Sequence, residues 1–266
     1  MAAMPKPRKP ALSIHDFVEW TEQIVWSCTD QDLALESPWF RGVASSDFKL
    51  TPSLYRSEVG KEITSDADLR AEFKRRGLPL VAERPPRDDW EWYFLMQHYG
   101  APTRLLDWTD SALVALYFAI TSSGGDGAAA TPAVWALNPW KWNEKVGMQF
   151  AGPLVSTLPE MSHYLGPPYE ESQLPKYPVA LDPTFIAQRM LVQHSHFTLH
   201  GCDFRGLDEM SELGLENMLF KLEISSRGDS LKILRQRVAQ LGISETTIFP
   251  DLQGLGKELR LEYDIS

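Results

Sequence analysis

An α+β fold is what this sequence predicts, a single domain whose mixed, mostly antiparallel sheet is flanked by several helices. Three observations carry the prediction. Helical and strand-like stretches are interleaved along the chain without any internal repeat. With 266 residues the chain is long enough to bury roughly 70–75% of its unfolded surface. A composition of 43% hydrophobic and 23% charged residues is that of a globular protein, and nine Trp with 19 Pro add rigid turns and aromatic-lined surfaces.

Taken in order, residues 1–11 are basic and Pro-rich, lack the apolar run of a secretory signal, and read as a disordered leader. The domain is expected over 12–266. Ser13 is a candidate N-cap for a helix over 14–27, with Ile14, Phe17, Val18, Ile24 and Val25 on its apolar side. Pro38 to Gly42 reads as a short strand ending in a glycine turn, and T-P-S-L-Y-R (51–56) as a bend marked by proline. Residues 66–76 are charged and helical, and 83–88 form a loop. Trp90 to His98 reads as a helix stopped at Tyr99-Gly100, which Pro102 prevents from continuing. Thr109 or Asp110 then caps a second helix bearing Leu113, Leu116, Tyr117 and Ile120 on one face. A loop over 124–132 precedes a buried strand at 133–137, and 138–180 is expected to be a long loop layer. Asp182-Pro183 leads to a short helical segment, Met190–Gly201 to one or two strands, and Phe220–Ile224 to another. Asp229 or Ser230 caps a helix over 231–241 that stops at Gly242. Residues 246–250 read as a last short strand or turn before a C-terminal helix.

The net charge of −10 argues against a general nucleic-acid coat or a membrane-surface binder, since both need a basic field. Lys74, Arg75, Arg76, Arg84 and Arg87 nevertheless cluster closely enough in sequence for a local basic groove. No apolar stretch reaches the roughly 18–20 residues that span a bilayer. Two cysteines, Cys28 and Cys202, are too few for a disulfide framework and fit a reducing compartment, so a cytoplasmic location is expected.

The densest chemistry lies between Gln97 and Ala119. Gln97, His98, Tyr99, Thr103, Arg104, Asp107 and Trp108 surround a Gly-Ala-Pro turn and run straight into an apolar helix. Folding alone does not require so varied a polar set before a buried helix. Arg41 is either a buried ion-pair partner of Asp107 or a ligand-binding group. Arg104 and Asp107, three apart at a junction between elements, could pair with each other or with Arg41 or Arg56, in a structural salt-bridge knot or in a ligand site. Two arginines, Arg41 and Arg104, converging on one Asp would leave surplus positive charge for an anionic ligand.

W-F-R-G (39–42), T-P-S-L-Y-R and above all Q-H-Y-G-A-P-T-R-L-L-D-W-T with A-L-Y-F-A resemble the FRG domain, named for its Phe-Arg-Gly motif. F-T-L-H-G (197–201) and T-I-F-P-D-L-Q-G-L (247–255) also look like that family, so the resemblance covers roughly residues 35–255. More loosely, the order is similar to that of arginine-motif ADP-ribosyltransferases: a strand with Arg beside an aromatic residue and Gly, a second strand running into a helix, then a third strand with an acidic or amide residue. That likeness implies NAD as co-substrate. Arg41 would hold its phosphates, and Asp107 or Gln193 would face the ribose, where charge develops as in glycoside cleavage. Tyr99, Trp108 and Tyr117 are the candidate aromatic walls, and Arg56, Thr103 and Thr109 further binding residues. Gln97, His98 and Arg104 would shape the acceptor side, with a nucleic-acid base as the expected acceptor. The departure is at the third motif, where only Gln188, Arg189 and Gln193 stand in place of a Glu-x-Glu. A non-catalytic module for a nucleotide or other phosphorylated ligand is the alternative. A metal-dependent hydrolase is the third reading, because His194, His196 and His200 would share one face of a straight strand. There is no G-x-S-x-G, P-loop or G-x-G-x-x-G.

Overall fold

The computed structural model describes residues 10–11, 13–28, 37–62, 65–81, 85–122, 130–148, 152–156, 161–165, 174–186, 188–225 and 230–263. Seven strands form one sheet: β1 (Trp39–Val43), β2 (Leu105–Thr109), β3 (Ala133–Leu137), β4 (Leu154–Val155), β5 (Val179–Asp182), β6 (Ser195–Leu199) and β7 (Leu219–Glu223). Their order is β4-β5-β6-β2-β1-β3-β7. The β4–β5 pair is parallel and every other pair antiparallel, as the α+β prediction requires.

The helices are α1 (Ile14–Cys28), α2 (Ser65–Gly77), α3 (Asp89–His98), α4 (Ala112–Ser122), α5 (Pro139–Lys145), α6 (Ser162–Leu165), α7 (Gln188–Val192), α8 (Ser230–Gln240), α9 (Glu245–Ile248) and α10 (Leu252–Glu262). Helix α1 is capped by Ser13, whose Oγ accepts from Asp16 N at 3.2 Å while Asp16 returns the bond to Ser13 N. Its buried stripe is Phe17, Trp20, Ile24 and Cys28, so Val18 and Val25 face outward, against expectation. Asp88 caps α3, and Gly100 at φ 75 ends it in the left-handed conformation that favours glycine.

Three apolar clusters fill the layers. Helices α1, α4 and α8 cover one face of β1, β3 and β7 through Phe40, Val134, Ala136 and Leu222. Helix α3 covers β2, β5 and β6 through Leu105, Val179, Leu181, Phe197 and Leu199. On the opposite face Trp39, Trp108, Trp135 and Trp142 gather with Leu106 and Leu219. Among the described residues no helix is long and apolar enough to cross a membrane.

Several expectations are corrected. Gly42 is not in a turn: it lies inside β1, where a Cβ would stand 2.0 Å from Ala115 O of α4. The strand needs glycine there because the helix packs onto its backbone. The cap of α4 is Ser111, whose Oγ accepts from Val114 N, while Thr109 Oγ1 accepts from Ser111 N. The supposed loop layer of 138–180 contains α5, β4, α6 and the start of β5. Asn138 followed by Pro139 is the helix start overlooked there, with Asn138 Oδ1 accepting from Lys141 N. Residues 190–192 close α7 and only 195–199 form a strand, while 245–248 are a helical turn. The proposed Asp229 cap and residues 1–9 of the leader lie outside the described residues, as does the side chain of Ser230. Ala11 belongs to the fold: it is buried and bridges Ile224 in parallel beside β7.

Candidate functional site

Strand β1 pairs with β3 at five positions, and β2 pairs with β6 at five, yet β1 and β2 share one register pair, Phe40 with Thr109. Beyond it the two central strands part. Strand alternation gives Arg41 the side of Trp39 and Val43, but its guanidinium turns into this split and donates from Nη1 to Asp107 O at 2.7 Å. The same nitrogen stands 3.6 Å from Asp107 Oδ2. Gly42 holds the arrangement in place, because α4 presses on β1 immediately beside Arg41.

The split opens into a cleft of about 610 Å³, floored by β1 and β2 and walled by the C-terminal end of α3, by α4 and by α7. Asp107 is its exposed carboxylate, with a side chain 56% accessible. It is fixed by a directed chain of hydrogen bonds. Leu105 N donates to Thr103 Oγ1 at 3.1 Å, so the Thr103 hydroxyl proton is free to go to Gln97 Oε1. Gln97 must then turn its amide nitrogen to Asp107 Oδ2, at 2.8 Å.

Charge in the cleft is mixed and rich in arginine. Burial lowers the Arg41 pKa, Asp107 opposes that shift, and the neighbouring Arg56 adds to it. The Arg41 Nε is buried and has no hydrogen-bond partner. Arg189 on α7 enters from the far wall, its guanidinium 4.2 Å over the Phe249 ring. Burial lowers its pKa too, against the pull of Asp107, Asp251 and Glu245. His98 is held low by burial and then by Arg189, which keeps it neutral at neutral pH. Gln193 sits in the turn after α7, donating from Nε2 to Ile248 O at 3.2 Å, and not on a strand as expected.

The structure thus brings together Arg41, Gln97, His98, Tyr99, Asp107, Thr109 and Gln193 at the cleft, with Thr103 behind Gln97. It places others elsewhere. Arg104 is 2% exposed and spent inside the core, with Nε 3.1 Å from Asp66 Oδ2, Nη1 donating to His200 O and Nη2 to Tyr164 O. It is no partner of Asp107. Trp108 lines the cleft, but its indole turns to the opposite layer and donates to Thr198 Oγ1 at 3.0 Å. Tyr117 is buried and donates to Glu245. Arg56 does not line the cleft; its Nε donates to Thr51 O, and it acts on the cleft only through its charge on Arg41.

The three histidines are not brought together. His194 lies before β6 at φ 49 and pairs with Asp110, His196 lies between Asp182 and Asp110 and stacks on Trp39, and His200 is fully buried past the strand end. Among the described residues no group of three or more His, Cys, Asp or Glu is arranged to hold a metal ion. Arg189 is the charged cleft residue for which the sequence implied no role. Its signal was the four-residue spacing to Gln193, which puts both on one side of a helical turn.

These elements, β1 with Arg41, α3 with Gln97 and β2 with Asp107, fall in one continuous segment. Residues 36–126 match the family model of the FRG domain. The FRG match spans about a third of the chain and ends before β3, so Arg189, Gln193 and the later F-T-L-H-G and T-I-F-P stretches lie outside it. No curated protein and no solved structure matches the chain.

Proposed function

We propose that the cleft binds a pyrophosphate-containing nucleotide and that the chain is an NAD-dependent mono-ADP-ribosyltransferase. One observation carries the reading: Arg41, Arg189 and a hydrogen-bond-oriented Asp107 converge on a cleft at the split between β1 and β2. The residues suit such a ligand. The guanidinium groups of Arg41 and Arg189, both lining the cleft, are fork-shaped donors of the kind that grip phosphate oxygens. Asp107, half in solvent and held from one side by Gln97 and Arg41, presents negative charge where positive charge would develop on ribose.

In the transfer, the bond from ribose C1′ to the nicotinamide nitrogen breaks and its electron pair leaves with neutral nicotinamide. The acceptor nucleophile forms the new bond to C1′ and releases its proton to solvent. Asp107 stabilises the developing charge, Arg41 and Arg189 hold the phosphates, and His98, neutral at the rim, leaves the acceptor side free of a further cation. Gln193 supplies an amide where a transferase of this kind has a carboxylate, so the full negative charge in the cleft is that of Asp107.

A non-catalytic nucleotide-binding module is the second reading, favoured by the same Gln193. Nicotinamide release from NAD separates them. The transferase reading expects release that Asp107→Asn slows by about 10²–10³ while binding of NAD by calorimetry persists; binding without release by the unmodified protein establishes the module. Neither binding nor release removes both readings.

A further inference from the structure

Beside the cleft, and sharing Tyr99 with it, runs a second groove of about 560 Å³ between α2, the 3-10 turn Leu78–Val81 and the C-terminal half of α3. Resting on the transferase reading, we propose that this groove seats the acceptor, and that the acceptor is a polypeptide presenting an aliphatic or aromatic side chain.

Three observations carry this. First, the wall is largely apolar: Leu69, Leu80, Val81, Leu95 and Met96 line it together with Phe73 and Tyr99, and Leu80 is 85% exposed. Single-stranded nucleic acid needs unpaired basic side chains beside its stacking platform, and Arg76 in this wall is paired with Glu72. Apolar pockets suit apolar side chains of a peptide.

Second, the basic cluster that would have contacted phosphates is neutralised. Lys74 pairs with Asp89, Arg75 and Arg76 both pair with Glu72, and Arg87 pairs with Glu91. Each cation that the structure describes in that cluster faces a carboxylate of its own α2–α3 neighbourhood. A polyanion would have to displace those carboxylates, and the chain's net charge of −10 adds to the repulsion.

Third, the groove is continuous with the cleft. Tyr99, 70% exposed at the end of α3, stands between them and lines both. A peptide side chain seated against Leu80 and Leu95 therefore leaves the neighbouring residues of that peptide beside the Gln97–Asp107 corner.

The test uses the full chain and two pools of 12-residue peptides with randomised polar residues, one containing Leu and Phe and one with Gly and Ser in their place, plus a 20-nucleotide single-stranded DNA. Binding is read by fluorescence polarisation, and transfer by labelled NAD. The Leu/Phe pool is expected to bind and to be modified at least tenfold better than the other. Leu80→Asp, an exposed position, should remove that preference while nicotinamide release to water stays unchanged. Equal use of both peptide pools, preference for the DNA, or indifference to Leu80→Asp overturns the proposal. If NAD is not cleaved at all, the transferase reading fails separately, and the polarisation result still decides whether the groove takes apolar peptides.

Discussion

Two arginine–aspartate groups in this molecule are built from the same chemistry and do opposite work. At the split between β1 and β2, Arg41 meets an Asp107 whose side chain is 56% exposed, and the Arg41 Nε has no hydrogen-bond partner. Beneath α3, Asp66 is paired with Arg104 and Arg70 and accepts from Tyr93 OH, with all three charged side chains nearly out of solvent. Arg104 spends its two remaining nitrogens on the carbonyls of His200 and Tyr164, tying the start of β2 to the end of β6 and to α6. The difference is exposure, since the Nε of each arginine lacks a hydrogen-bond partner and each donates to backbone carbonyl oxygen. A guanidinium sealed in the core beside a buried carboxylate holds the fold together, and one beside an open carboxylate at a cleft is available to a ligand.

The largest effect that would sharpen this contrast is on the buried group. Arg104→Met should lower stability by about 3–5 kcal/mol, because Asp66 loses its closest charge partner inside the core. Thermal denaturation followed by circular dichroism measures it, and a change under about 1 kcal/mol would place Arg104 outside the structural role. At the cleft the balance reverses. Asp107→Asn should cut kcat for nicotinamide release by about 10²–10³ with little change in melting temperature, as expected for loss of one charge-stabilising group. A large fall in melting temperature instead would make the two groups alike.

Smaller changes probe the support behind Asp107. Thr103→Val keeps the side-chain shape but removes the hydroxyl that fixes the Gln97 amide. We expect about a tenfold loss in kcat at unchanged KM for NAD, and recovery in Thr103→Ser, which retains the hydroxyl. A KM effect that Ser does not rescue would mean that Thr103 merely packs.

The smallest effect concerns His196. Burial works against its charge, but hydrogen bonds to Asp110 and Asp182 outweigh it and raise its pKa above 6.5. A raised folded pKa contributes stability that is complete below 6.5 and is lost as pH rises through the folded value. The stability difference between the unmodified protein and His196→Gln should therefore shrink slightly as pH rises from about 6 to about 9. A difference that grows with pH would reverse the sign of the pairing.

Much of this contrast was hidden in the residue order. Arg104 and Asp107, three positions apart, look like partners, yet pleating sends Leu105 and Asp107 to the α3 side of β2 while Arg104 precedes the strand and reaches back to α2. Trp108 and Tyr117 are aromatic and close to the motif, and both are turned into other layers by strand alternation and by the α4–α9 contact. Arg189 lies more than eighty residues beyond Asp107 in sequence, and its four-residue spacing to Gln193 was the one local sign that it shares the cleft.

By itself the sequence determined the local decisions. The Ser13 cap, the Gly100 stop, the strand at 133–137, the α+β class and the presence of a polar cluster between Gln97 and Asp107 all follow from side-chain shape, backbone freedom and periodicity acting over a few residues. Only the tertiary structure decided which arginine meets which carboxylate, that β1 and β2 part after one register pair, and that α7 supplies a second arginine. Those outcomes depend on strand order and on the close approach of α4 at Gly42. Contacts between distant segments are set by the packing of the whole sheet, and no single stretch of residues contains them.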